Sequence, residues 1–170
     1  GETRHWLLAG LALGLGFLCK YTATYQILCW AIFFILWRPA RLHLRKPGPY
    51  LALLVVALCT LPVIIWNAQH GWITATHVAT NASLDKAYRP TLRYFGEFLG
   101  AEFGLLNPIF FIAALWAMVA FWRRRAERPL WLFFFCMGAP VFLGHVVYSL
   151  RSRIHPNWIA PSVLPLLCLM

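Results

Sequence analysis

Apolar residues come in long runs separated by short polar stretches, and the lengths of the runs set the elements. Trp6 to Cys19 is one run; it ends at Lys20, and Tyr21 to Trp37 follows at once. As one helix, residues 6–37 would extend about 48 Å at ~1.5 Å per residue, far more than the ~30 Å hydrocarbon layer of a bilayer. The pattern therefore predicts two helices, 6–19 and 21–37, with Lys20 and Tyr21 at an outer turn. Further runs predict helices over 50–66, 98–122 and 130–150, and a last one, 159–170, cut short by the end of the chain. Pro62 lies near the outer end of its span, where water or neighbours can satisfy the lost backbone hydrogen bond. Asn107-Pro108 marks a kink or the true start of the 98–122 helix. Gly10 and Gly14, four apart, allow close backbone approach to a neighbour. The whole reads as an all-α polytopic transmembrane helix bundle. The chain starts at Gly1 and stops at Met170 inside an apolar run, so residues 1–170 are expected to be an internal fragment of a single transmembrane domain.

Composition agrees with this and excludes soluble classes. Of 170 residues, 61% are apolar and 12% charged, and the mean hydropathy is +0.67. So few charges cannot cover so much hydrocarbon in water, which excludes a soluble enzyme, a secreted disulfide scaffold and a disordered tail. A formal net charge of +10 would suggest nucleic acid in a soluble domain, but here position decides against it. Arg38, Arg41, Arg45 and Lys46, and again Arg123, Arg124, Arg125 and Arg128, each follow one apolar run and precede the next, as cytoplasmic loops do. With Arg4 they place nine cations inside, against six outside: Lys20, Lys86, Arg89, Arg93, Arg151 and Arg153. Seven of the nine tryptophans lie near predicted boundaries, where interfacial belts form. The five cysteines all sit in apolar runs without a CxxC pair and read as small buried hydrophobes.

The remaining polar residues gather in two predicted outer loops, 67–93 and 151–158, and at the mouth of the following span. Asn67, His70, His77, Asp85, Arg89, Arg93, Glu97 and Glu102 belong to the first stretch, and Arg151, Arg153, His155 and Asn157 to the second. Cations and histidines held at the outer leaflet are equipped to grip a phosphate or diphosphate; solvated loop residues are the plain alternative. His70 and His77 are seven apart and share a face if their segment is helical; with Asp85 they are the candidate ligands for a divalent metal ion, though the spacing matches no zinc pattern. No cofactor is otherwise implied. Glu97 and Glu102 suit a cation, sugar hydroxyls or a helix start.

Four motifs carry a resemblance: Gly10-Leu-Ala-Leu-Gly14-Leu-Gly-Phe-Leu-Cys-Lys20-Tyr-Thr-Ala23, Pro62-Val-Ile-Ile-Trp66-Asn67-Ala-Gln-His70-Gly-Trp72, Asn107-Pro108, and Asn157-Trp158-Ile-Ala-Pro161. In this order, over nearly the whole chain, they resemble the bacterial family 39 type membrane glycosyltransferases, related to protein mannosyltransferases and lipid A aminoarabinose transferases. The resemblance implies a GT-C fold with an active site on the extracytoplasmic side of the bacterial inner membrane. It implies a polyprenyl-phosphate sugar donor and a lipid, glycan or protein acceptor. It also puts the catalytic carboxylate in a first outer loop preceding Gly1, so no residue here is assigned as the base, and it sets His77 near the carrier phosphate.

Displacement at an anomeric carbon needs donors around a leaving phosphate. Lys20, His77, Arg89, Arg93 and Arg153 are the phosphate-binding candidates, with Lys20 foremost because a lone Lys between apolar helices is costly unless it snorkels or binds. Asn67, His70, Glu102, His155 and Asn157 are candidates for further substrate or ion contacts. A secondary transporter would instead place ionisable groups at mid-membrane, and the spans 21–37 and 50–66 contain none; a non-catalytic membrane subunit or a lipid flippase is the other alternative.

Overall fold

The structure, a computed structural model, describes residues 2–84, 87, 90–124 and 129–170, with the side chains of Arg123 and Arg124 left aside. All regular structure among these residues is helical, so the all-α expectation holds. The chain forms two compact units, Gly1–Thr80 and Asn81–Met170. Gly48–Gln69 and Pro129–Tyr148 are long and apolar enough to cross a membrane, and two bent helix pairs bring the candidates to as many as four. These helices mark an integral membrane protein.

In the first unit, α1 (Thr3–Cys19) lies along α3 (Gly48–Gln69). The seam is made by residues without side chains. A Cβ on Gly10 would sit 2.5 Å from the Ala52 carbonyl oxygen, and one on Gly14 would sit 2.7 Å from Cys59. Gly48 in turn receives the Trp6 indole. Trp6 thus meets residue 48, Gly10 meets 52, and Gly14 meets 56 and 59, so the two helices run parallel. Two parallel helices need a return path between them, and within residues 20–47 α2 (Tyr25–Leu36) supplies it. The pattern's 21–37 helix is more broken than its apolarity suggests. Lys20 is extended (φ −159°), a 3₁₀ turn covers Tyr21–Thr24, and after Leu36 a second 3₁₀ segment, Arg38–Arg45, turns away by 115°. There Arg41 donates to the Phe34 carbonyl (2.9 Å) and the Ile35 carbonyl (2.6 Å). A cation on the last carbonyls of a helix is the favourable end of its dipole.

The segment after residue 66, expected as an outer loop, is more ordered than a loop. Gly71 (φ 66°) and Trp72 (φ 59°) reverse the chain, and α4 (Ile73–Asn81) follows. Asn67 holds that reversal. Its Nδ2 donates to the Val63 carbonyl (2.9 Å), its Oδ1 accepts the Thr74 N–H (3.1 Å), and its carbonyl accepts the Trp72 N–H (2.8 Å).

The second unit contains α5 (Leu92–Leu105), α6 (Pro108–Arg124), α7 (Pro129–Tyr148) and α8 (Ala160–Leu167), the last preceded by a 3₁₀ turn over Pro156–Ile159. The pattern's single 98–122 helix is two helices meeting at 112°. The physical cause is local: Asn107 takes a left-handed φ of 65° and its side chain accepts the Ile109 N–H (3.0 Å), while Pro108 has no N–H to continue α5. An aromatic core ties the elements together. Phe142 of α7 lies 6.3 Å, centre to centre, from both Phe98 of α5 and Phe111 of α6. Gly138 lets α8 approach α7, since a Cβ there would meet Leu166 at 2.8 Å.

Candidate functional site

Two hydrogen bonds bring three separate stretches of the second unit together. The Thr91 N–H donates to the Leu150 carbonyl (2.7 Å), while its Oγ1 caps α5 by accepting the Arg93 N–H (3.2 Å). The start of α5 is thereby fixed beside the end of α7. The Tyr148 hydroxyl donates to the Ala82 carbonyl and draws the 82–84 turn to the same place. Beyond α7 the chain alternates: Ser152 and Ile154 are buried and Arg153 between them is exposed. That alternation turns the Arg153 guanidinium outward.

These stretches enclose an open cavity of about 700 Å³ lined by Ser83, Thr91, Arg93, Tyr94, Arg151 and Arg153 among others. Glu97, one helical turn after Arg93, spans two of the arginines. Its Oε1 accepts from Arg93 Nε at 2.9 Å and its Oε2 lies 3.3 Å from Arg153 Nε. Both contacts use Nε, so the terminal amino groups of the two guanidiniums are not what hold the carboxylate. Both arginine side chains are more than three-quarters exposed, and ion pairs in such surroundings contribute about 0–1 kcal/mol. The fold around the cavity thus rests on the Thr91 and Tyr148 hydrogen bonds and on the aromatic core. Arg93 and Arg153 face solvent, and Arg151 is half-buried with a terminal nitrogen 3.4 Å from the Ser83 carbonyl; three guanidiniums against one carboxylate make a cationic rim whose planar forks match phosphate oxygens.

Of the five phosphate-binding candidates, the structure brings Arg93 and Arg153 together. Lys20 and His77 belong to the first unit, the former half-buried at the end of α1 and the latter exposed on α4. Arg89 and Asp85 lie outside the described residues. Asn67 spends both side-chain groups on the turn after α3. His70 stacks on Trp66 (4.2 Å, 13° between planes), and its Nδ1 is 2.7 Å from the Trp66 carbonyl. A carbonyl only accepts, so Nδ1 carries the proton. His70 and His77 would share a face only on one continuous helix, and none runs through them: α3 ends at Gln69, Gly71 and Trp72 take left-handed φ values, and α4 starts at Ile73. Among the described residues no three His, Cys, Asp or Glu side chains converge to hold a metal ion. His155 is exposed with its ring 5.5 Å from Trp158, and Asn157 is exposed in the next 3₁₀ turn. Glu102 is buried at 2% exposure, and its Oε1 has no hydrogen-bond partner among the described residues.

The sequence placed Arg151 and Glu97 among the polar residues of these stretches without singling either out as a partner of Arg93 and Arg153. Arg93 and Glu97 stand at i and i+4, a recognisable helical pair. The role of Arg151 had no local signal, since it depends on where α7 ends relative to α5.

Comparisons with known proteins agree with the motifs. Residues 1–66 match the family described as dolichyl-phosphate-mannose-protein mannosyltransferase, a stretch that contains the Gly10–Ala23 motif. Over 153 residues the chain is 33% identical to the lipid A galacturonosyltransferase RgtD of Rhizobium johnstonii, covering 89% of this chain. The chain spans 31% of that relative's length. No solved structure matches the chain. The resemblance to membrane glycosyltransferases of the protein mannosyltransferase type is borne out by both similarities.

Proposed function

We propose that this chain is part of an integral-membrane glycosyltransferase that moves a sugar from a polyprenyl-phosphate carrier to an extracytoplasmic acceptor, with the arginine-rimmed cavity gripping the carrier phosphate. The observation that carries the reading is the convergence of Arg93, Arg151 and Arg153 on one open cavity. As the glycosidic bond to the carrier breaks, negative charge grows on the departing phosphate. Guanidiniums already in place stabilise that charge more than they stabilise the intact donor, which is what accelerates the step. The similarity to a named galacturonosyltransferase and to the mannosyltransferase family supports glycosyl transfer.

Other roles follow from the same proposal. Lys20 and His77 are further phosphate contacts, and the carboxylate that activates the acceptor lies in a loop preceding Gly1. The cation clusters at 38–46 and 123–128 keep those loops on the cytoplasmic side of the inner membrane, with the cavity outside. The test is transfer from a polyprenyl-phosphate sugar by the full-length protein. Arg93→Gln and Arg153→Gln are each expected to lower kcat/KM by about tenfold or more, and Arg41→Gln, in a cytoplasmic loop, to lower it far less. Unchanged turnover in both cavity variants would remove the cavity from the mechanism.

A further inference from the structure

In the structure the anion-binding groups already hold an anion, and it belongs to the protein. Glu97 places one carboxylate oxygen on each of two arginines that come from different elements, Arg93 from α5 and Arg153 from the segment after α7. Oε1 accepts a hydrogen bond from Arg93, while Oε2 faces Arg153 at ion-pair distance without completing a hydrogen bond, so one carboxylate lies across two guanidiniums and satisfies one of them. Glu97 itself is only about one-third exposed, whereas the two arginines are largely solvent-facing.

We propose that Glu97 is a displaceable latch, a built-in carboxylate that occupies the arginines of the empty site and yields them to a phosphate or diphosphate. This rests on the anion-binding reading of the cavity and adds the residue that sets its threshold. The ion pairs it makes are weak because they are exposed, so exchange is easy in both directions. An incoming monocarboxylate gains nothing over the resident one. The donor's phosphodiester matches the carboxylate in charge and brings two free oxygens to the terminal amino groups that Glu97 does not use, whereas the released carrier monophosphate and inorganic diphosphate carry more charge and more acceptor oxygens. After transfer the returning carboxylate competes for the same arginines and helps the spent carrier phosphate leave. A site whose open form is only partly populated binds more weakly by that fraction, so removing the latch must tighten binding and slow release.

The experiment is calorimetric titration of the full-length protein in detergent with inorganic diphosphate, for wild type, Glu97→Gln, Glu97→Ala, Arg153→Gln and the Glu97→Gln/Arg153→Gln pair. Both Glu97 variants are expected to bind diphosphate about tenfold more tightly, and the added Arg153 substitution to erase the gain. In turnover, Glu97→Gln should lower KM for the donor and also lower kcat, the split expected when product release is slowed. Weaker or unchanged diphosphate binding in both Glu97 variants, with Arg153→Gln still weakening it, would overturn the latch and leave the anion site standing. No effect on binding from any of the four would overturn the latch and the anion site together.

Discussion

The two units carry the same glycine spacing and use it in opposite ways. Gly10 and Gly14 of α1 are closed against α3, where a Cβ would run into backbone or the Cys59 side chain. Gly96, Gly100 and Gly104 of α5 also repeat every four residues, yet a Cβ at any of them meets no described residue of its own unit within 4 Å. The polar chemistry divides along the same line. The first unit uses its conspicuous polar groups to shape backbone: Asn67 closes a reversal, Arg41 caps α2, and His70 bonds to the carbonyl of the turn before it. The second unit sets Arg93, Arg151 and Arg153 around an open cavity, with the Arg93 and Arg153 side chains largely in solvent. Small residues and charges therefore state a possibility, and packing decides whether each becomes structure or a surface for something else.

The largest expected effect comes from breaking the closed seam. Gly10→Val in the full-length protein would drive a branched side chain into the Ala52 carbonyl, which is main chain and cannot rotate aside. Overpacking of a tight contact costs roughly 1–3 kcal/mol where side chains can yield, and the rigid target here puts the loss at the upper end, about 3 kcal/mol. Thermal unfolding in detergent should show a marked fall in Tm. An unchanged Tm would mean that α1 and α3 do not rely on this contact.

A mid-sized effect is expected at Asn67. Substitution by Ala removes the acceptor for the Thr74 N–H and the donor to Val63, at about 1–2 kcal/mol for a largely buried pair of hydrogen bonds. The loss should localise, appearing as faster amide exchange at Trp72 and Thr74 with little change in α1. Uniform loosening of the whole first unit would show that Asn67 supports more than the reversal.

How far the sequence shows these differences can be traced residue by residue. Run lengths revealed helices and membrane character because burial in lipid demands apolar continuity, a one-dimensional property. The break at Lys20 and the interruption at Asn107-Pro108 were legible for a similar reason: a charge between apolar runs and a proline missing its N–H both act locally. The 112° turn at Asn107 was not legible, since the size of a bend depends on what the two helices pack against. Nor was α4, whose sequence Ile73–Asn81 is weakly apolar and rich in Thr, a poor advertisement for a helix. The site was half legible. Arg93 and Arg153 stood out as cations of two expected outer loops, but their meeting depends on the Thr91–Leu150 hydrogen bond, a contact between residues far apart in sequence. Glu97 was visible as a carboxylate and invisible as a bridge.

The smallest effect tests the open stripe. Glycine inside a helix is less favourable than alanine by about 0.5–1 kcal/mol, because it loses more backbone freedom on ordering. At Gly100 a methyl group meets no described residue of the second unit, so Gly100→Ala should raise stability by up to about 1 kcal/mol, read as a small increase in Tm of the full-length protein in detergent. The same substitution at Gly10 should lower it, since even one carbon falls 2.5 Å from the Ala52 oxygen. Opposite signs at the two positions would confirm that identical spacing serves packing in α1 and leaves α5 open. A loss of stability at Gly100 as well would place another helix of the full-length protein against α5, and the two stripes would then be the same device.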